Sequence, residues 1–312
     1  MINFRYHVVS LTAVFLALAI GLVVGTAALN GPLSDALKNQ VGSLTKQTQT
    51  YRDRITQLET ETGKQEQFTQ QAAPLMLNGK LAARRVLVVS TSQTAGSVAK
   101  VVDYLKMAGA TVTGQVEVQD RFFDPASNSN LLDVSNGAVP PGLTGIPLNS
   151  NGVETASYLL AAGLVQHNPP LTTDAVRTVV TAFKEGNFIV PTGDLTVPAE
   201  AVAVVVGEPY ADSAGDAKNN NVLTMAEWFS KAGPTVVATS GAGGTGNVIG
   251  AVRGDPKLSK TIATVDNVTT PDGQVCVPLA LAEFLGTTKP GHYGVAGGST
   301  AMLPKPPKTT PS

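Results

Sequence analysis

A chain of 312 residues with a formal net charge of −1 is long enough for a sizeable core and has no global basic field for nucleic acid. Its 43% hydrophobic content excludes a wholly disordered protein, while 31 glycines and 20 prolines call for generous loops. One cysteine, Cys276, excludes an intrachain disulfide, and inside "QVCVPLALAEFL" it reads as core packing.

The first seven residues form a short tail carrying Arg5. Residues 8–29 follow with only Ser10, Thr12 and Thr26 as polar side chains and no charge. As a helix this run reaches roughly 33 Å, enough to cross a bilayer. Arg5 and the amino terminus favour a cytoplasmic tail and an exported remainder. The alternative is a cleaved secretory signal ending near Thr26-Ala27-Ala28. Its apolar run is long for a signal, so a retained single-pass anchor in the cell membrane is the preferred expectation. Gly21 and Gly25 form a G-x-x-x-G that lets a second membrane helix approach closely.

After Gly31-Pro32 the pattern turns periodic. Leu37, Val41, Leu44, Thr48, Tyr51, Ile55, Leu58, Thr62 and Gln65 advance in steps of four and three, a heptad spacing. Val41, Thr48, Ile55 and Thr62 take the a positions; Leu37, Leu44, Tyr51 and Leu58 take the d positions. Arg54 falls at g and Glu59 at the following e, where they pair across a parallel dimer; Glu61 and Glu66 oppose it. The spacing predicts a coiled-coil stalk over 32–73, roughly 58 Å long, ended by Pro74, and a homodimer through that stalk. The alternative is an amphipathic helix lying on its own globular domain.

Residues 84–285 alternate strand and helix. "RRVLVVS" (84–90), a helix at 94–110 and "TVTGQVEVQ" make a βαβ unit. Further strands are expected at 187–191, 201–207, 235–240 and 261–266, with helices at 151–163, 173–185, 219–232 and 273–285. Continuously apolar strands separated by helices predict an α/β domain. Its sheet is mainly parallel and helix-flanked, of flavodoxin or Rossmann type; a membrane β-barrel is disfavoured. Residues 120–150 read as a long loop or insertion, and 286–312 as a flexible tail.

The chemical motifs are few. Gly241, Gly243 and Gly246 spell G-x-G-x-x-G after a strand, with Asp266 20 residues beyond, but a helix ending before Pro256 is short for a dinucleotide site. Asp194, Glu208 and Asp266 fall at strand ends and read as turn or cap residues, or else as carboxylates gathered around a cation. Arg253-Gly254-Asp255 is an adhesion tripeptide of the kind that arises by chance. No nucleophile elbow is present, His7, His167 and His292 lack metal-ligand spacing, and the chain is expected not to be an enzyme.

The opening "MINFRYHVVSLTAVFLALAIGLVVGTA" and the closing "TIATVDNVTTPDGQVCVPLALAEFLGTTKPGHYG" resemble the actinobacterial copper transport protein B (MctB-like) family. The resemblance implies an envelope protein that keeps cytoplasmic copper low. Copper would be a transported or loosely bound ion, with no resident cofactor. In mycobacterial relatives the resemblance implies outer-membrane channel formers, and in corynebacterial ones a role in cell separation through wall hydrolases. The alternative function is thus a non-enzymatic dimeric scaffold with envelope protein partners. Copper(I) favours Cys and Met and copper(II) favours imidazole. Those ligands are sparse, which leaves His292 and Met302 as weak metal candidates beside the scattered Met76, Met107 and Met225.

Overall fold

The computed structural model describes residues 4–305 except 31, 93, 148, 150, 167–169, 242 and 244; His167 lies outside the described residues. The chain forms two compact units, residues 1–65 and 66–312.

The first unit holds α1 (Phe4–Asn30) and most of α2 (Pro32–Leu77). The segment Phe4–Ala27 is long and apolar enough to cross a bilayer, with none of its most apolar window buried by protein. Thr12 and Thr26 satisfy their hydroxyls within the helix, donating to the carbonyls of Val8 and Leu22, so neither spoils an apolar span. In α2, Leu37, Val41, Leu44, Tyr51, Ile55 and Leu58 are 46–68% exposed.

The second unit is an open seven-stranded sheet in the order β3-β2-β1-β4-β5-β6-β7. Its strands are β1 (Arg85–Thr91), β2 (Thr111–Val118), β3 (Ile189–Thr192), β4 (Ala201–Val206), β5 (Thr235–Thr239), β6 (Ile262–Val265) and β7 (His292–Tyr293). All neighbours are parallel except β3 against β2. Without the two edge strands the order is that of the flavodoxin-like doubly wound fold. The helices are α3 (Ala95–Met107), α4 (Asp120–Phe123), α5 (Asn128–Gly137), α6 (Gly152–Leu164), α7 (Thr173–Glu185), α8 (Gly215–Ala232), α9 (Val248–Gly254) and α10 (Pro271–Thr287).

Both sheet faces are covered, so strand residues of both parities are apolar. Leu87, Val89, Val202, Val204 and Val237 join the core under α4–α9, which includes Phe122, Phe123, Phe183, Phe188 and Phe229. Val86, Val88, Ala201, Ala203, Ala238 and Ala263 join the core under α3 and α10. Four alanines on that face leave room for α10 to approach the strands closely.

Three expectations are corrected. Pro74 does not end the stalk helix; α2 continues to Leu77. Ala73 and Leu77 are fully buried, and this packing offsets the roughly 3 kcal/mol a helix-interior proline costs. Residues 120–150 are not a bare loop. They hold α4, a 3₁₀ turn over Pro125–Ser127, and α5. Phe122 and Phe123 pin this segment edge-to-face with ring centres 5.3 Å apart, an anchor hidden by polar neighbours. Residues 286–305 are not a loose tail either: β7 pairs with β6, and Tyr293 bridges to Ala301.

Candidate functional site

In an open parallel sheet, ligands enter at the carboxyl ends of the strands where the winding reverses. Here that point lies between β1 and β4, whose helices α3 and α8 pack on opposite faces. The Gly207 amide donates to Thr91 Oγ1 at 3.1 Å, tying the two strand ends together. Ser92 Oγ and Tyr210 Oη both donate to Asp120 Oδ1, at 2.6 and 2.8 Å. Burial first, then the Asp120 carboxylate, pushes the Tyr210 phenol far above its ordinary range. Lys218 donates to Asp212 at 2.6 Å, which holds its ammonium above the usual value, and it lies 5.4 Å over the Tyr210 ring. Ser240 donates to Glu208. This rim is polar and internally paired. Asp120 accepts from both hydroxyls directly, so Ser92, Asp120 and Tyr210 form one hydrogen-bonded group that spans the β1 and β4 ends.

Among the described residues of the glycine-rich turn, the hydrogen bonds run within the chain. Asn247 Oδ1 accepts from the Ile249 and Gly250 amides at 2.9 and 3.2 Å, and its Nδ2 donates to the Gly241 carbonyl at 2.8 Å. Two of the helix-end donors that would hold a pyrophosphate are thus already used, and α9 has only seven residues.

The three strand-end acids do not converge. Strand β3 runs antiparallel, which puts Asp194 at the opposite end of the sheet from Glu208 and Asp266; its carboxylate accepts from the Thr196 amide and hydroxyl. Asp266 is not a turn residue but one half of a buried ion pair. Its Oδ2 accepts from Arg253 Nη1 at 3.1 Å, with side-chain exposures of 0% and 5%. The Val295 and Ala296 amides also donate to it, at 2.8 and 3.3 Å. Arg253 further donates through Nε to Thr264 Oγ1 at 3.0 Å, through Nη1 to the Gly297 carbonyl at 3.1 Å, and through Nη2 to the Tyr293 carbonyl at 2.8 Å. The fork of one guanidinium thus sews residues 293–297 to the sheet edge. Sequence reasoning passed over Arg253 because it belongs to an adhesion-type tripeptide; its burial removes it from that use. The available signal was a lone arginine on a short apolar helix near a strand-end aspartate.

His292 sits in the same network. Its Nδ1 is 2.9 Å from Thr264 Oγ1 and its Nε2 is 3.1 Å from the Ser259 carbonyl. The carbonyl can only accept, so Nε2 carries the proton and Nδ1 accepts from the threonine hydroxyl. Burial, aided by Arg253, holds the ring below its ordinary pKa. Both nitrogens are engaged, so His292 offers no lone pair for copper. The Met302 side chain is exposed, while its carbonyl faces Cys276 Sγ at 3.8 Å. Cys276 is buried, and burial pushes its thiol far up, away from the thiolate that metals prefer. Met225 is fully buried, Met107 lies on the surface, and Met76 packs at the margin of the α3/α10 core. Among the described residues no three His, Cys, Asp or Glu side chains gather as a metal site. Gly21 and Gly25 have open space where a side chain would project, and the predicted stalk seam is solvent-facing.

A doubly wound α/β lobe together with, among the described residues, one membrane-length apolar helix is the class these features define. The profile of the family described as "Copper transport outer membrane protein, MctB" matches residues 1–304, and the chain belongs to that family. Among similar proteins, the copper transporter MctB of Mycobacterium leprae is 30% identical over 97% of this chain and 99% of its own length. The copper transporters MctB of Mycobacterium bovis and Mycobacterium tuberculosis are 27% identical, with the same coverage.

Proposed function

We propose that this protein is a membrane-anchored, non-enzymatic component of copper transport and homeostasis, with its α/β lobe on the extracytoplasmic side. The observation that carries the reading is the family match across residues 1–304, which takes in the apolar helix and the lobe together. Arg5 ahead of α1 supports a cytoplasmic amino terminus. Copper is the cargo here and meets the protein weakly or in passing. The exposed Met302 thioether is a soft donor but a solitary one, and a single thioether holds copper only loosely.

The test is deletion of the gene in its host, with cell-associated copper measured by mass spectrometry and growth scored over a copper series. The deletion is expected to raise cell copper several-fold and lower tolerance. The full chain restores both, and a chain lacking residues 4–30 does not. Unchanged copper content and unchanged tolerance would refute the reading.

A further inference from the structure

We infer that the exposed stripe of α2 is a docking surface for a second copy of this chain, paired in parallel and in register over residues 37–58. The inference stands on the helix itself and is independent of copper. Leu37, Val41, Leu44, Tyr51, Ile55 and Leu58 hold one helical stripe and remain about half exposed or more. A helix with such a stripe is stabilised by burying it rather than by intrinsic propensity. The heptad spacing matches a two-stranded seam: Val41 and Ile55 at a, with Leu37, Leu44 and Leu58 at d, are the branched-aliphatic and leucine pattern of parallel dimers.

Charge and tethering select the orientation. The flanking positions give Arg54 of one copy Glu59 of the other, twice per dimer. Within one chain Arg54 Nη1 donates to the neutral Gln57 side chain, at 3.1 Å, so pairing substitutes a carboxylate for an amide. Glu61 against Glu66 subtracts from this, and Thr48 at an a position, its hydroxyl donating to the Leu44 carbonyl at 2.8 Å, weakens the seam without charging it. The basic residues Lys38, Lys46, Arg52 and Arg54 precede the acidic Glu59 and Glu61, so free helices would also attract head to tail. Two chains anchored by α1 in one membrane enter from the same side, and that leaves the parallel arrangement. Gly21 and Gly25, with nothing packed against them, allow the two α1 helices to approach in continuation of the seam.

Cysteine cross-linking of the full chain in membranes tests this, with Cys276→Ala as background. Val41→Cys, Leu44→Cys and Ile55→Cys, treated with a short bis-maleimide, are expected to give a double-mass product. Their yield should be at least tenfold that of Asn39→Cys and Lys46→Cys on the opposite side of the helix. Arg54→Glu lowers the yield at Leu44→Cys several-fold, and adding Glu59→Arg restores it. No product, or equal yields on both sides of the helix, overturns the inference. So does a Val41→Cys chain that links to a Leu58→Cys chain better than to itself, which marks a head-to-tail pair. Copper tolerance of the Arg54→Glu strain is a separate readout, so this inference and the copper reading fail independently.

Discussion

Breaking the Arg253–Asp266 pair is the sharpest test of how the lobe is closed. Asp266 is fully buried and accepts three N–H groups, from Arg253, Val295 and Ala296. Asp266→Ala leaves a buried guanidinium uncompensated, which costs about 3–5 kcal/mol. Arg253→Met leaves the carboxylate buried with two amides, at a similar cost. The combined Arg253→Met, Asp266→Ala variant removes both charges and leaves mainly the Val295 and Ala296 amides without an acceptor, about 1–3 kcal/mol each. The double loss should therefore fall short of the summed single losses, by about 4 kcal/mol at the middle of these ranges, a coupling visible in a double-mutant cycle. The assay is urea unfolding of the detergent-purified chain followed by Trp228 fluorescence. With a slope near 3 kcal/mol per molar, the upper end for domains, each single variant moves the midpoint down by about 1–2 M. Single losses under about 1 kcal/mol, or additive losses in the double variant, would refute the buried-pair account.

Further outcomes follow from the same geometry. The folded His292 pKa lies below its ordinary 6.5, so above pH 6.5 both folded and unfolded rings are neutral and its full contribution is present. As pH falls from 6.5 towards the folded value the unfolded chain binds the proton first, and stability drops. Urea midpoints at pH 7.5 and 5 should therefore differ less in His292→Gln than in the parent, and an equal difference would sink the assignment. Gly294→Ala should cost about 3 kcal/mol or more, read as a lowered melting temperature, because φ is +123° and a Cβ would collide with the Asp266 carboxylate. Cys276 should resist thiol reagents until urea unfolds the lobe; rapid labelling of the folded chain would contradict its burial. Phe229→Ala, at a fully buried site under the sheet, should cost about 3–5 kcal/mol by the same urea assay.

Much of the lobe was readable because parallel strands buried on both faces must be continuously apolar. "VLVV" at 86–89 and "AVAVVV" at 201–206 could scarcely be anything else, and β1, β4, β5 and β6 stand within a residue or two of their expected places. The misses share a physical cause: local patterning does not see tertiary contacts. The segment after Gln119 is polar, but two adjacent phenylalanines reach the core and hold it. Strand β7 is two residues long, too short for any alternation, and exists because Arg253 and Asp266 grip the backbone beyond it. Pro74 ends a helix on local grounds, yet Ala73 and Leu77 have a core to enter. The reversed direction of β3 was equally invisible, since four apolar-leaning residues look alike whichever way they run, and that reversal removes Asp194 from any site at the carboxyl edge.

The block that carried the family resemblance now has a structural explanation that bears on where copper can act. Thr264 relays between Arg253 and His292. Gly273 lets the start of α10 lie against the Asn267 carbonyl, Gly291 makes room for the Tyr293 ring, and Gly294 leaves space for the Asp266 carboxylate. Tyr293 donates to Glu283 at 2.7 Å, and the Lys305 amide donates to the same carboxylate oxygen at 3.1 Å. From "TVDN" to "GHYG", these residues are accounted for by closing one sheet edge and fastening the segment that follows it. In this cluster the polar atoms of Arg253, Thr264, Asp266 and His292 are engaged with one another and with backbone groups, so a metal taken up there would have to displace those bonds. The exposed thioether of Met302 is a place where substitution should alter copper handling without unfolding the lobe.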